Sequence, residues 1–224
     1  EILFFSLLYE EDEFKGIKVF PYQKNAEEVK QAFDIISGLG IENIFVEGYY
    51  NGLTIYKSDV KEKYNLPAQN RYYGDFDPLK AWVDLAKDNN KNIYVSINAF
   101  DLGKIPASGL KTSIVNVYPE WIYKPSNHEY YLKPDKAEVQ SYLLALIDEV
   151  TKKYEIAGIN IAGLNVPNSN QNVKEFVNKL LAYGHTKDKI KIAIDINPST
   201  MDIKKWNLDE NDILCPVLSS SDVE

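Results

Sequence analysis

Cysteine, methionine, arginine and histidine are nearly missing from this chain. Its 224 residues hold one cysteine (Cys215), one methionine (Met201), one arginine (Arg71) and two histidines (His128 and His185). A single cysteine excludes a disulfide framework. One cysteine also rules out a Cys-rich zinc module, and two histidines rule out a three-histidine centre, so no metal and no cofactor are expected. Thiol catalysis would need a histidine beside Cys215, and nothing local supplies one. Positive charge is also in deficit: the net charge is −8, which argues against a nucleic-acid backbone as partner. Long apolar runs are lacking too. The stretch Ile2–Tyr9 is too short to span a bilayer, and no membrane span is expected. The chain opens on Glu1 rather than an initiator methionine, which reads as the processed or trimmed start of a longer protein with further domains.

What is present is enough apolar material for a core, 45% hydrophobic against 26% charged residues. Short β-branched runs alternate with amphipathic helical stretches. Strands are predicted at 2–9, 44–48, 92–98, 156–162, 190–196 and 212–218. Helices are predicted at 26–39, 77–88, 134–154, 173–183 and 198–206. Asp77 and Pro78 make an N-cap and first turn. The acidic run 10–13 reads as a solvated loop, and Ser219–Asp222 as a frayed end. Such alternation implies an α/β fold with a parallel sheet covered by helices. The stretches after the second and third strands are long and rich in Tyr, Asn, Gly and Pro, which suits the loops at the carboxyl ends of a TIM-barrel-like (β/α) fold. About six βα units are present where a full barrel has eight. The expectation is one domain over 1–224, an incomplete or trimmed eight-fold barrel.

Period-two sorting assigns the Ile/Val phase of each strand to the helices. The other phase holds Phe45 and Glu47; Tyr94, Ser96 and Asn98; Asn160 and Ala162; Ala193, Asp195 and Asn197. Polar residues at the carboxyl ends of four strands are costly in a pure packing layer, and they suggest a binding or catalytic floor. They equally suit strand ends meeting solvent. Glu47 and Asp195 are its carboxylates, a pair of the kind that flanks a glycosidic bond; their strands should lie across the barrel, with a wide gap between them. Tyr49, Tyr56 and Trp121 are candidate sugar-stacking rings, with Asn98, Asn160 and Asn197 as hydroxyl partners. The same aromatics could simply anchor the loops. His128 and His185 read as surface residues, and Cys215 as buried and inert.

Several motifs in order carry a family resemblance: Gly52-x-x-x-Tyr56-x-Ser58, Phe76-Asp77-Pro78-Leu79, Asn98 at a strand end, Pro119-Glu120-Trp121, Tyr131-Leu132-Lys133-Pro134, and Tyr154 to Ala162. Over about residues 40–165 the chain resembles the glycosyl hydrolase-like family 10 barrels of bacterial surface proteins and lipoproteins. That resemblance implies an extracellular or cell-surface location. It also exposes a departure. Where the family carries acids at the fourth strand, this chain has Ala157 and Ala162, which cannot exchange a proton. Chitinase-type barrels need acids at the same strand. The first expectation is therefore a catalytically degenerate glycoside-hydrolase-like domain that binds carbohydrate, or acts as a structural surface module, at its carboxyl-end face. The alternative is an active glycoside hydrolase using Glu47 and Asp195.

Overall fold

The computed structural model describes residues 5–11, 14–103, 113–187, 190–197, 201 and 203–216. The predicted tail at 219–222 and the start of the predicted helix at 198 lie outside them. In chain order the elements are β1 (Phe5–Glu11), β2 (Phe14–Val19), α1 (Ala26–Ser37), β3 (Asn43–Tyr50), β4 (Leu53–Thr54), α2 (Asp59–Lys63), α3 (Pro78–Asp88) and β5 (Asn92–Asn98). There follow α4 (Ile114–Val117), β6 (Ile122–Ser126), β7 (Glu129–Leu132), α5 (Ala137–Lys153), β8 (Gly158–Ala162), α6 (Asn170–Gly184), β9 (Lys191–Ile196) and β10 (Ile213–Pro216).

Six strands run parallel in the spatial order β2-β3-β5-β8-β9-β10, forming a curled sheet, a half-barrel with alternating helices. The first strand of that parallel set is β2, a segment where hydrophobic periodicity predicts no strand. The predicted first strand is instead β1, antiparallel to β2. Strand β1 covers the outer edge of β2 and also comes within 8 Å, Cα to Cα, of β10 at the far end of the sheet. Covering an edge in this way removes a row of unpaired backbone groups from solvent.

Local sequence explains most boundaries. Asn25 caps α1 by accepting from the Glu28 N–H, and Asp77 caps α3 by accepting from the Lys80 N–H at 2.9 Å, with Pro78 in the first turn. The Tyr154 hydroxyl donates to the other Asp77 oxygen at 2.7 Å and ties the end of α5 to the start of α3. The two long connections are not plain loops. The first carries β4 and α2, whose N-terminus is held by Glu149 of α5: it accepts from Ser58 Oγ at 2.6 Å and from the Asp59 and Val60 N–H groups at 2.6 and 3.1 Å. Lys61 of α2 is fully buried and donates to the Gly52 carbonyl, and burial pulls its ammonium down to about 7. The second connection carries α4 and the β6–β7 hairpin.

The apolar side chains form two clusters. The Ile/Val phase (Ile44, Val46, Ile93, Val95, Ile97, Ile159, Ile161, Ile192, Ile194) packs with the helices. The opposite phase places Phe45, Tyr94, Ala193 and Cys215 in a separate cluster inside the curl. There the Phe45 and Tyr94 rings stack with centroids 4.8 Å apart at 15°. Two glycines make room for them. A Cβ on Gly16 would lie 2.5 Å from the Phe45 ring, and one on Gly158 2.6 Å from the Tyr94 ring. This stacked pair floors the concave side.

Candidate carboxyl-end site

One step above that floor, five neighbouring parallel strands each contribute one polar side chain: Lys18 (β2), Glu47 (β3), Ser96 (β5), Asn160 (β8) and Asp195 (β9). The period of two places them on the same side as Phe45 and Tyr94. They form one chain of contacts. Ser96 Oγ donates to Asn160 Oδ1 at 2.8 Å, and Asn160 Nδ2 donates to Asp195 Oδ1 at 2.8 Å. Lys18 Nζ donates to Asp195 Oδ2 at 3.3 Å and pairs with Glu47 Oε2 at 3.6 Å. Glu47 is only 3% exposed, and its Oε1 has no hydrogen-bond partner among the described residues.

One ammonium serves two carboxylates, so the ring carries a surplus negative charge. Burial favours the neutral lysine, but Glu47 and Asp195 more than offset it and hold Lys18 above its usual range. Glu47 is the less well paired acid. Burial pushes it up to about 7; Lys18 opposes that rise and Asp195 adds to it. Glu47 therefore takes the proton as the pH falls. The folded state holds that proton more tightly than the unfolded chain, whose carboxyl titrates near 4.5. The associated stability is full below the unfolded value and is lost as the pH rises through the folded one, on the order of 3 kcal/mol. Urea unfolding from pH 4.5 to 8 will show that loss, and Glu47→Gln will flatten it. An unchanged slope in the variant would remove the assignment.

Towards the mouth the candidates separate. Asn98 follows Ser96 on the inner phase; its Oδ1 is buried and has no partner among the described residues. Asn197 is half-buried at the end of β9. The candidate stacking rings lie elsewhere. Strict alternation would put Tyr49 on the phase of Phe45 and Glu47. A bulge intervenes: the β3–β5 register shifts between Glu47 and Tyr49. The Gly48 backbone lies so close to β5 that a Cβ there would sit 2.4 Å from Val95 Cγ1. Tyr49 is thereby turned to the helices and packs edge-on against Tyr142, 6.4 Å between centroids. Tyr56 is buried, with its hydroxyl donating to Glu149 at 3.3 Å. Trp121 is buried, stacked on Tyr118 at 4.2 Å.

The rings open to solvent are others. Tyr50 (44% exposed) packs edge-on with Phe20 at 5.9 Å and has its hydroxyl raised by burial, then by Asp101 and Glu47. Tyr72 (44%) donates its hydroxyl to the Tyr22 carbonyl at 2.8 Å, and Tyr22 itself is 57% exposed. Tyr50 and Tyr72 belong to the aromatics of the first long connection that the sequence offers for stacking, whereas Tyr22 and Lys18 were missed by sequence reasoning. The signal for Lys18 was the alternation Gly16, Lys18, Phe20 against Ile17 and Val19.

No protein-family model matches the chain, and no curated protein matches it. Solved structures do. A hypothetical protein from Ruminiclostridium thermocellum aligns over 85% of this chain and 99% of its own, with TM-score 0.60 and 15% identity. A maltogenic α-amylase from Thermotoga neapolitana aligns over 84% of this chain (TM-score 0.56, 11% identity), and an α-amylase from Lactobacillus plantarum over 80% (TM-score 0.54, 16% identity). The fold is glycoside hydrolase-like. The chain spans less than half the length of those two amylases, 46% and 44%. At such identities the likeness concerns the fold alone. An α-amylase from Geobacillus thermoleovorans with the same glycoside hydrolase-like fold (TM-score 0.54) was solved with acarbose bound. No helix among the described residues is long and apolar enough to cross a membrane.

Proposed function

We propose that the carboxyl-end face binds carbohydrate without hydrolysing it, as a catalytically degenerate glycoside-hydrolase-like domain. The observation that carries this reading is the Lys18 ammonium placed on both Glu47 and Asp195. A glycosidase holds the scissile bond, with or without a water, between its two carboxylates. Here a lysine stands on both acids, and Asp195 has both oxygens engaged. The remaining features suit recognition. Tyr50, Tyr22 and Tyr72 offer exposed rings, and Glu47 Oε1 and Asn98 Oδ1 offer buried acceptors for hydroxyl donors. The finer resemblance to glycosyl hydrolase-like family 10 barrels, with Ala157 and Ala162 at the fourth strand, supports the same reading. With it go a cell-surface or extracellular location and a parent protein with further domains.

One observation favours the alternative of an active hydrolase with Glu47 and Asp195 as its pair. A carboxyl raised to about 7 is suited to general-acid work. Calorimetric titration against a panel of oligosaccharides, with assay of released reducing ends, separates the readings. Binding without product, weakened roughly tenfold by Tyr50→Ala, is the expected result. Product formation abolished by Glu47→Gln would establish the alternative, and no binding to any glycan would leave a structural module.

A further inference from the structure

On the opposite, amino-end face a second group of side chains converges. Helix α6 ends at Gly184, which lies so close to β9 that a Cβ there would sit 2.5 Å from Ile192 Cγ1. The next residue, His185, donates its N–H to the Leu181 carbonyl at 2.8 Å and closes the helix. Its imidazole points to the connection that leads into β10. There Asp209 and Asp212 meet it: Nε2 lies 3.1 Å from Asp209 Oδ2 and 3.0 Å from Asp212 Oδ2. The three ligand atoms all lie within 4.8 Å of one another. The Asp212 side chain is only 3% exposed, and its Oδ2 also accepts the Asp209 N–H at 2.8 Å.

We propose that His185, Asp209 and Asp212 form a site for a divalent transition-metal ion such as Zn2+ or Mn2+. An imidazole nitrogen carries at most one proton, which cannot serve two carboxylate oxygens fully; a metal ion can serve all three atoms. The spacing fits. With bonds of about 2.1 Å, neighbouring ligands of a metal stand about 3 Å apart, the separation observed here between nitrogen and each oxygen. One imidazole with two carboxylates is a donor set for Zn2+, Mn2+ or Fe2+ rather than for Ca2+, which prefers oxygens alone. The scaffold is in place as well. The Asp209 N–H orients one ligand oxygen, and the Asn211 N–H donates to the other Asp209 oxygen at 2.8 Å. A cavity of about 360 Å3, lined by the same three residues with Lys187 and Asn211, gives an ion access and room for water ligands. Lys187 directs its ammonium over the Tyr183 ring, 5.1 Å from the centroid. The bound ion would clamp the end of α6 to the segment that delivers β10, on the face away from the carbohydrate site.

Calorimetric titration of tag-free protein with Zn2+ and with Mn2+ tests this, alongside thermal melting. Saturable binding of one ion per chain by either metal is expected, with a melting temperature that rises with ion concentration. His185→Gln and Asp209→Asn, both on the surface, should each weaken binding at least tenfold. No saturable binding of either ion, or binding undiminished in both variants, would overturn the site. A variant that melts cooperatively without ion yet fails to bind supports it, since that outcome separates lost ligation from lost folding.

Discussion

Replacing Lys18 by methionine should destabilise the protein by about 3–5 kcal/mol on the alkaline side of Glu47's titration, at roughly pH 9. Methionine follows much of the lysine stem but leaves Glu47 and Asp195 facing each other with no counter-charge. The cost comes from stranding two carboxylates, both less than an eighth exposed, rather than from lost packing. It should therefore depend on pH. Near pH 5 Glu47, already raised to about 7 by burial, is neutral, and the deficit shrinks. Lys18→Met combined with Glu47→Gln should recover more than half of it, because one of the stranded charges is gone. Denaturant unfolding of the three proteins at two pH values measures this. A loss under about 1 kcal/mol, the range of an exposed pair, or one independent of pH, would mean that the ring is open to water.

The second large effect concerns the floor beneath that ring. Gly158→Val should cost about 3 kcal/mol or more, at the upper end of overpacking penalties. The new Cβ would stand 2.4 Å from the Lys191 carbonyl oxygen and 2.6 Å from Tyr94 Cε1. A ring can shift; a carbonyl in the β8–β9 ladder cannot shift without breaking hydrogen bonds. Tyr94→Leu should thus relieve only part of the penalty. Gly74→Ala is the control. Its φ of +58 with ψ of −125 is a region that only glycine enters readily, but nothing lies within 4 Å of the added methyl, so its cost, about 1–3 kcal/mol, is that of backbone strain alone. Equal losses in the two variants would show that backbone conformation, not the stacked pair, sets the requirement at 158.

These two expectations rest on features of unequal legibility. The helix from Pro78 to Asp88 and the strand from Asn92 to Asn98 fall where caps and periodicity put them, because local chemistry decides both. The sorting of Glu47, Asn160 and Asp195 onto one side follows from the pleat alone. Lys18 was hidden for a different reason. The six residues of β2 follow an acidic run, and two lysines interrupt their apolar pattern. The alternation with Ile17 and Val19 marks Lys18, but only pairing with β3 makes the segment a strand of the parallel sheet. Tyr49 reads as a loop ring from the sequence, but the strand runs on to Tyr50 and a bulge at Gly48 turns Tyr49 to the helices; a bulge depends on the neighbouring strand and leaves a single glycine as its mark. Trp121 and Tyr56 are rings in long connections, and nothing local distinguishes a ring that packs from one that waits for a ligand.

The hydrogen bond from Lys18 to Asp195 joins residues 177 positions apart. During synthesis at about 5–20 residues per second, the lysine emerges on the order of 10 to 35 seconds before its acid. Over that interval Glu47, made early, is its only partner from the ring, and β9 and β10 do not yet exist to enclose either. The nascent half-barrel must therefore keep its concave side hydrated until Asp195 and the strand that carries it have been delivered. Burial of the ring thus becomes a late event, and a chain stalled before residue 195 would present a wet, open trough to the chaperones that meet it.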